Sequence, residues 1–236
     1  MDMGDPTRSV TPTLDGPVLA VLASAGRPLT VGDVATATSR GSEIGVRRCL
    51  ARLVDQGIVQ ATEMGRNRVH QLNRDHVAAP IADLLANLRI ELWKRMRNEI
   101  GKWKPQPLYA CVFGSAARGD GDIDSDVDLL LVHPPMPDDP KPPRRATVRE
   151  SATAALLAPV PASSADVKRW PLAVDGLRAH VQAWSGNSLQ VVDLSVAEWI
   201  SQQRTGDLAI EVKRDAVELC GSFGVGLPTP ARSKGH

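Results

Sequence analysis

Residues 114–132 read GSAARGDGDIDSDVDLLLV. Aspartates occupy five alternate positions in this stretch, 120, 122, 124, 126 and 128, with a Gly-Ser pair before them and a continuous apolar run after them. Strand side chains alternate between two faces and rise about 3.3 Å per residue. Asp126 and Asp128 open the apolar run, so their carboxylates share one face roughly 7 Å apart along the chain, with Val127 turned to the core. Hard oxygens at that spacing suit a divalent cation, and Mg²⁺ commonly takes one or two protein carboxylates and keeps positions for water and phosphate. Asp120, Asp122 and Asp124 precede the strand and read as loop charges. An EF-hand is excluded: a loop begun at Asp120 has Ser125 where glycine is needed and Leu131 where glutamate is needed, and one begun at Asp122 has Val127 and His133.

A third carboxylate on a neighbouring strand would complete a two-metal site. Asp193, inside the apolar run SLQVVDLS (188–195), is the candidate, because a charge in such a run is costly without a partner. On the other side, Gly114 lets the backbone approach a phosphate closely. The Ser115 hydroxyl and the amides that follow can donate to phosphate oxygens, and Arg118 can pair with a triphosphate.

Taken together, FGSAARGDGDIDSDVDLLLV resembles the signature of the DNA polymerase β-like nucleotidyltransferase superfamily: a strand, Gly-Ser, Arg-Gly, a short loop, Ser-Asp-x-Asp and an apolar run. It is most similar to the small prokaryotic branch, which includes kanamycin nucleotidyltransferase relatives and antitoxins that adenylylate HEPN-type toxins. The resemblance spans about residues 80–221, with GNSLQVVDLS for the third acid and DAVELCG for a closing strand. It implies transfer of a nucleoside monophosphate from an NTP such as ATP to an acceptor hydroxyl, with two Mg²⁺ or Mn²⁺ ions. By the same resemblance Asp126, Asp128 and Asp193 are the catalytic metal ligands, and Gly114, Ser115 and, more weakly, Arg118 bind the nucleotide.

The N-terminal part has a different grammar. Residues 14–25 are apolar and helix-compatible; Thr30 caps a short helix over 31–38, and Ser42 caps a stronger one over 43–56 that Gly57 stops. Runs at 58–63 and 68–72 read as strands around the turn MGRN. Three helices followed by a hairpin resemble the winged helix-turn-helix of MarR- and ArsR-like regulators, also in the segment LVDQGIV…GRNRVHQL. Arg47, Arg48 and Arg52 on the third helix and Arg66 and Arg68 at the hairpin are the DNA-binding candidates. Between Arg27 and His76 eight arginines stand against five acids, a modest local excess, so the alternative is a protein-docking module. A helix over 78–103 follows, with Ile81, Leu85, Leu88, Leu92, Met96, Ile100 and Trp103 at steps of three and four. Its buried face meets either the next domain's sheet or the same helix of a second subunit in a homodimer.

The remaining features set bounds. With 236 residues and 42% hydrophobic content the chain can build one or two cores, and a net charge of +1 announces no nucleic-acid binder in bulk. Cys49, Cys111 and Cys220 sit in apolar contexts without a CxxC pair and read as reduced core thiols in a cytoplasmic protein. There is no signal-peptide pattern and no apolar run long enough to cross a membrane. The expected fold is α+β: a disordered lead (1–12), a winged helix-turn-helix domain (13–76), a connecting helix (77–104), a mixed-sheet nucleotidyltransferase domain (105–221) and a flexible tail (222–236). Helices are also expected over 145–158, 166–185, 196–204 and 207–214. Three functions are compatible with this: an active transferase, a nucleotide-sensing regulator of DNA, and an antitoxin-type transferase acting on a partner toxin.

Overall fold

The computed structural model describes residues 1–140, 162–205 and 207–221. The chain divides into two compact units, Met1–Glu91 and Leu92–His236. The helix expected over 145–158 and the tail over 222–236 lie outside the described residues.

In the first unit the helices are α1 (Asp15–Ser24), α2 (Val31–Ala37), α3 (Glu43–Asp55) and α4 (Ala79–Ala86); the strands are β1 (Leu29–Thr30), β2 (Val59–Met64) and β3 (Asn67–Leu72). Local chemistry sets the helix starts. Thr30 and Asp33 form a reciprocal capping box, and the Ser42 hydroxyl accepts from the Gly45 amide at 3.2 Å. Gly57, at φ +79°, ends α3 in a conformation that a side chain resists. The α3 stripe Val46, Cys49, Leu50 and Leu53 is buried with Val18, Leu22, Val34, Val59 and Leu72 in one core. The three strands pair antiparallel in the order β1-β3-β2, with Met64 opposite Asn67 at the hairpin tip.

Two expectations fail here. The lead is not loose: Pro6–Ser9 form a 3₁₀ turn, Met3 is fully buried, and Asp5 takes the Arg40 guanidinium at 2.6 Å. Arg40 also donates to the carbonyls of Thr11, Pro12 and Thr13, so one side chain straps the whole segment down. Nor is the helix over 78–103 continuous. It breaks at Asn87, whose backbone leaves helical geometry (φ −108°, ψ 8°) while its amide donates to the Asp83 carbonyl at 2.7 Å. The apolar stripe divides at the break: before it Leu85 is buried in the first unit's core while Ile81 is exposed, and after it Leu92, Met96 and Ile100 are buried.

After the break comes α5 (Leu88–Ile100), and from Leu92 the second unit. It continues with β4 (Tyr109–Phe113), α6 (Gly114–Arg118), β5 (Val127–Val132), α7 (Ser164–Ser185), β6 (Leu189–Leu194), α8 (Val196–Thr205), α9 (Asp207–Asp215) and β7 (Val217–Cys220). The sheet order is β6-β5-β4-β7; β5 and β6 run parallel and the other pairs antiparallel. The sheet is covered on two sides, which is why β5 reads as an unbroken apolar run. On one face Tyr109, Cys111, Phe113, Leu130 and Val132 pack with Trp199 of α8 and Ala209 and Val212 of α9. The alternate residues, Ala110, Val112, Val127, Leu129 and Leu131, are fully buried on the other face. Helix α7, opened by a Ser163–Asp166 capping box, buries Trp170, Val174, Leu177 and Val181. Arg97 of α5 donates to the carbonyls of Glu218 (2.9 Å) and Leu219 (3.2 Å), which ties α5 to edge strand β7 of its own unit. The three cysteines are free, and burial pushes the Cys49 and Cys111 thiols up to about 12 and Cys220 up to about 11.

Candidate metal and nucleotide site

Asp128 pairs with Phe113 in the antiparallel β4–β5 ladder, so it lies beside the point where β4 turns into α6. Gly114 makes that turn at φ +71°. A Cβ there would meet Asp128 Oδ2 at 2.6 Å, so only glycine lets the carboxylate and the turn come this close. Ser115 follows, half-buried, with no hydrogen-bond partner for its hydroxyl among the described residues. Asp126, just before β5, shares the face of Asp128 by strand alternation. Desolvation first, then the like charges of Asp126 and of Glu211 on α9, push the Asp128 carboxyl above its ordinary range. Two hard carboxylates on one face, beside an unpartnered hydroxyl and a glycine turn, fit a divalent cation carrying phosphate.

The other aspartates of the ladder have different work. Asp122 accepts from the Ser125 hydroxyl at 2.7 Å and from the Asp124 amide at 3.1 Å, and the Ser125 bond holds its carboxyl below the usual range. Asp120 pairs with Arg118 at 2.9 Å. Arg118 also reaches Asp215 at the end of α9, at 2.7 Å. Asp215 is held below the ordinary carboxylate range by Arg214 and Arg118. Arg118 is therefore engaged by two acids, and a phosphate would have to displace them.

Asp193 does not join Asp126 and Asp128. The parallel register pairs it with Leu131, an odd number of positions beyond Asp128, so it projects from the opposite face of the sheet. There its carboxylate accepts from the Trp170 indole of α7 at 2.6 Å, and its ionisable neighbours are His133, Asp139 and Glu198. The residue has exposed surface, but its carboxyl end lies against the indole, and desolvation raises its proton affinity despite that bond. The assignment of Asp193 as third ligand is thus corrected by the register. The β6 residue opposite Asp128 is Gln190, whose amide donates to Asp126 Oδ2 at 3.3 Å. Sequence reading passed over Gln190; the available signal was parity within SLQVVDLS, once β6 is laid beside β5. That register is pinned by buried Asn187, whose amide donates to the carbonyls of Ser125 (2.9 Å) and Ile123 (3.4 Å). Among the described residues no three His, Cys, Asp or Glu side chains converge as a ready metal cluster.

Residues 92–169 match the family model of a nucleotidyltransferase domain. The match includes Gly114, Ser115, Asp126 and Asp128 and supports the nucleotidyltransferase superfamily for this segment. It ends before β6, so neither Gln190 nor Asp193 falls within it. No curated protein matches the chain. Among solved structures, human N-acetylserotonin methyltransferase in complex with SAM is 19% identical over 37% of this chain and 28% of that one, with a TM-score of 0.25, too slight a likeness to carry an argument.

The candidate arginines of the first unit are all exposed. Arg47 pairs with Glu43 at 2.9 Å, and Arg52 pairs with Asp15. Arg48, Arg66 and Arg68 have no ion pair among the described residues. No helix among those residues is long and apolar enough to cross a membrane.

Proposed function

We propose that the chain is a metal-dependent nucleotidyltransferase that moves a nucleoside monophosphate from an NTP to an acceptor hydroxyl. The observation that carries this reading is the contact between the Gly114 turn and Asp128, with Asp126 on the same face. Asp126 and Asp128 would hold Mg²⁺ or Mn²⁺, which when bound neutralises charge on the triphosphate. Gly114 and Ser115 cradle phosphate oxygens, the first by allowing close approach and the second through its hydroxyl. Held at the start of β5, a strand with neighbours on both sides, Asp126 and Asp128 would fix where the ion and its nucleotide sit. In the reaction a bond forms from the acceptor oxygen to that phosphorus, the bond to pyrophosphate breaks, and the hydroxyl proton is released.

The first unit fits a winged helix-turn-helix for double-stranded DNA. Helix α3 would face the major groove and the β2–β3 tip would lie over phosphates, with Arg48, Arg66 and Arg68 free to pair and Arg47 and Arg52 shared with acids. It would bring the transferase to DNA, or to a partner such as a toxin that serves as acceptor.

A second reading, a nucleotide-sensing DNA regulator with little transfer, is favoured by one observation: an amide rather than a carboxylate faces Asp126 from β6. Labelled NTPs with Mg²⁺ and candidate acceptors separate the two. Transfer that disappears in Asp128→Ala supports the enzyme; nucleotide-dependent operator binding without any transfer supports the regulator.

A further inference from the structure

Besides Ser115 at the Gly114 turn, polar side chains reach Asp126 and Asp128 from strand β6, and a like charge comes from helix α9. From β6, Gln190 stands opposite Asp128 and bonds Asp126. From α9, exposed Glu211 has no hydrogen bond or ion pair to either aspartate among the described residues. Asp193 faces away and is committed to Trp170. The sheet therefore supplies this face with two charges and one neutral amide.

An amide offers a cation one carbonyl oxygen but no charge, and it takes no proton near neutral pH. Two divalent cations side by side bring twice the charge that two carboxylates supply. Of two such ions, the one on the nucleotide brings phosphate oxygens as ligands and partners for its charge. The one on the acceptor side depends on the protein, so it is the ion that a missing carboxylate removes. In the observed conformer the Gln190 nitrogen donates to Asp126, which occupies one of the carboxylate's oxygens as well.

We infer that Gln190 makes this a one-cation centre. Asp126 and Asp128 hold the single ion that arrives with the NTP, and the acceptor hydroxyl meets no second ion. The inference rests on the transferase reading of the same site. Its chemical consequence is that nucleotide binds well while transfer is slow: the acceptor O–H must lose its proton to water as its oxygen bonds to the α-phosphorus and pyrophosphate departs. Gln190 is thereby a rate-setting residue, and a carboxylate in its place restores the missing ligand.

The test is a count of Mn²⁺ bound to the full chain in the presence of α,β-methylene-ATP, read by electron paramagnetic resonance and by calorimetry. The expected result is one nucleotide-linked Mn²⁺ for the native chain. In Gln190→Glu and Gln190→Asp a second site should appear, its affinity improved about tenfold or more, in line with the value of ligand-shell groups. Position 190 is exposed on an edge strand, and unchanged far-UV circular dichroism would show that these variants fold. Two Mn²⁺ ions on the native chain overturn the inference, and loss of the second in Glu211→Gln would then name α9 as its source. One ion in all variants overturns it equally. Absence of any nucleotide-linked Mn²⁺, in the native chain and both variants, overturns the site reading itself and is distinct from either of those results.

Discussion

Asp128 and Asp193 make an instructive pair. Both are acids set in apolar strands of one sheet, and desolvation raises the proton affinity of both. Asp193 has a dedicated donor, the Trp170 indole, at 2.6 Å. Asp128 has no such donor among the described residues; its neighbours Asp126 and Glu211 repel its charge. The first is a polar group completed by its own protein. The second is left incomplete, and a cation is what would complete it. An acid in an apolar run is therefore ambiguous until the partner on its own face is known.

The largest effect expected from this contrast is in ion binding. Asp126→Ala and Asp128→Ala should each weaken nucleotide-linked Mn²⁺ binding by more than about 100-fold, since even outer-shell partners of a metal are worth 10–100-fold. Asp193→Asn should leave it within about twofold of native, as expected for a group that does not contact the ion. A loss in Asp193→Asn comparable to that in Asp128→Ala would break the comparison.

Next in size is stability. Trp170→Phe keeps an aromatic in the α7 core but leaves the Asp193 carboxylate without its donor. It should cost about 0.5–1.5 kcal/mol in denaturant unfolding, the net worth of one hydrogen bond where water can reach the acceptor. Ion binding should be unchanged, which separates the two faces of the sheet.

A smaller effect is the pH dependence of the metal-free chain. The folded-state pKa of Asp128 lies above its ordinary value of 3.8, so the folded state holds the proton more tightly than the unfolded state. Stability then falls as pH rises from 3.8 through the raised value. Asp128→Asn removes that penalty. It should melt higher than the native chain at neutral pH, with the difference closing as the pH drops towards 3.8. Saturating Mn²⁺ and nucleotide should reverse the order. A native chain that melts higher without metal would contradict the account.

The finest test concerns the first unit, where free and paired arginines present the same contrast. Replacing Arg48, Arg66 and Arg68 with alanine should weaken duplex DNA binding and flatten its log–log salt slope by about 0.9 for each phosphate no longer neutralised. Replacing Arg47 and Arg52, already shared with Glu43 and Asp15, should flatten it less. Equal slopes would mean that these side chains do not touch DNA.

What could be read from the sequence was local. Asp126 and Asp128 fall within three residues, the Gly114 turn is adjacent in motif, and the caps at Thr30 and Ser42 lie beside the helices they start. Two of the misreadings, the lead and Asp193, required a distant partner. The lead is fixed by Arg40, 35 positions from Asp5. The face of Asp193 depends on a strand that ends 61 positions earlier (193 − 132). Alternation gave two possible faces for each β6 residue, and only the pairing with β5 chooses between them. The break at Asn87 was closer to hand: an amide side chain competing for a helical carbonyl within an otherwise regular stripe.

That choice of face is made outside the site. Asn187 clamps β6 onto the loop before β5 and so supports the frame of SLQVVDLS presented to the aspartates. A one-residue slip would exchange the two faces of the strand completely. For anyone redesigning this centre, the turn at Gly186–Asn187 is thus a coarse selector and position 190 a fine one. The same six-residue strand holds both an acid and an amide, and the buried Asn187 side chain helps fix which of them the chemistry meets.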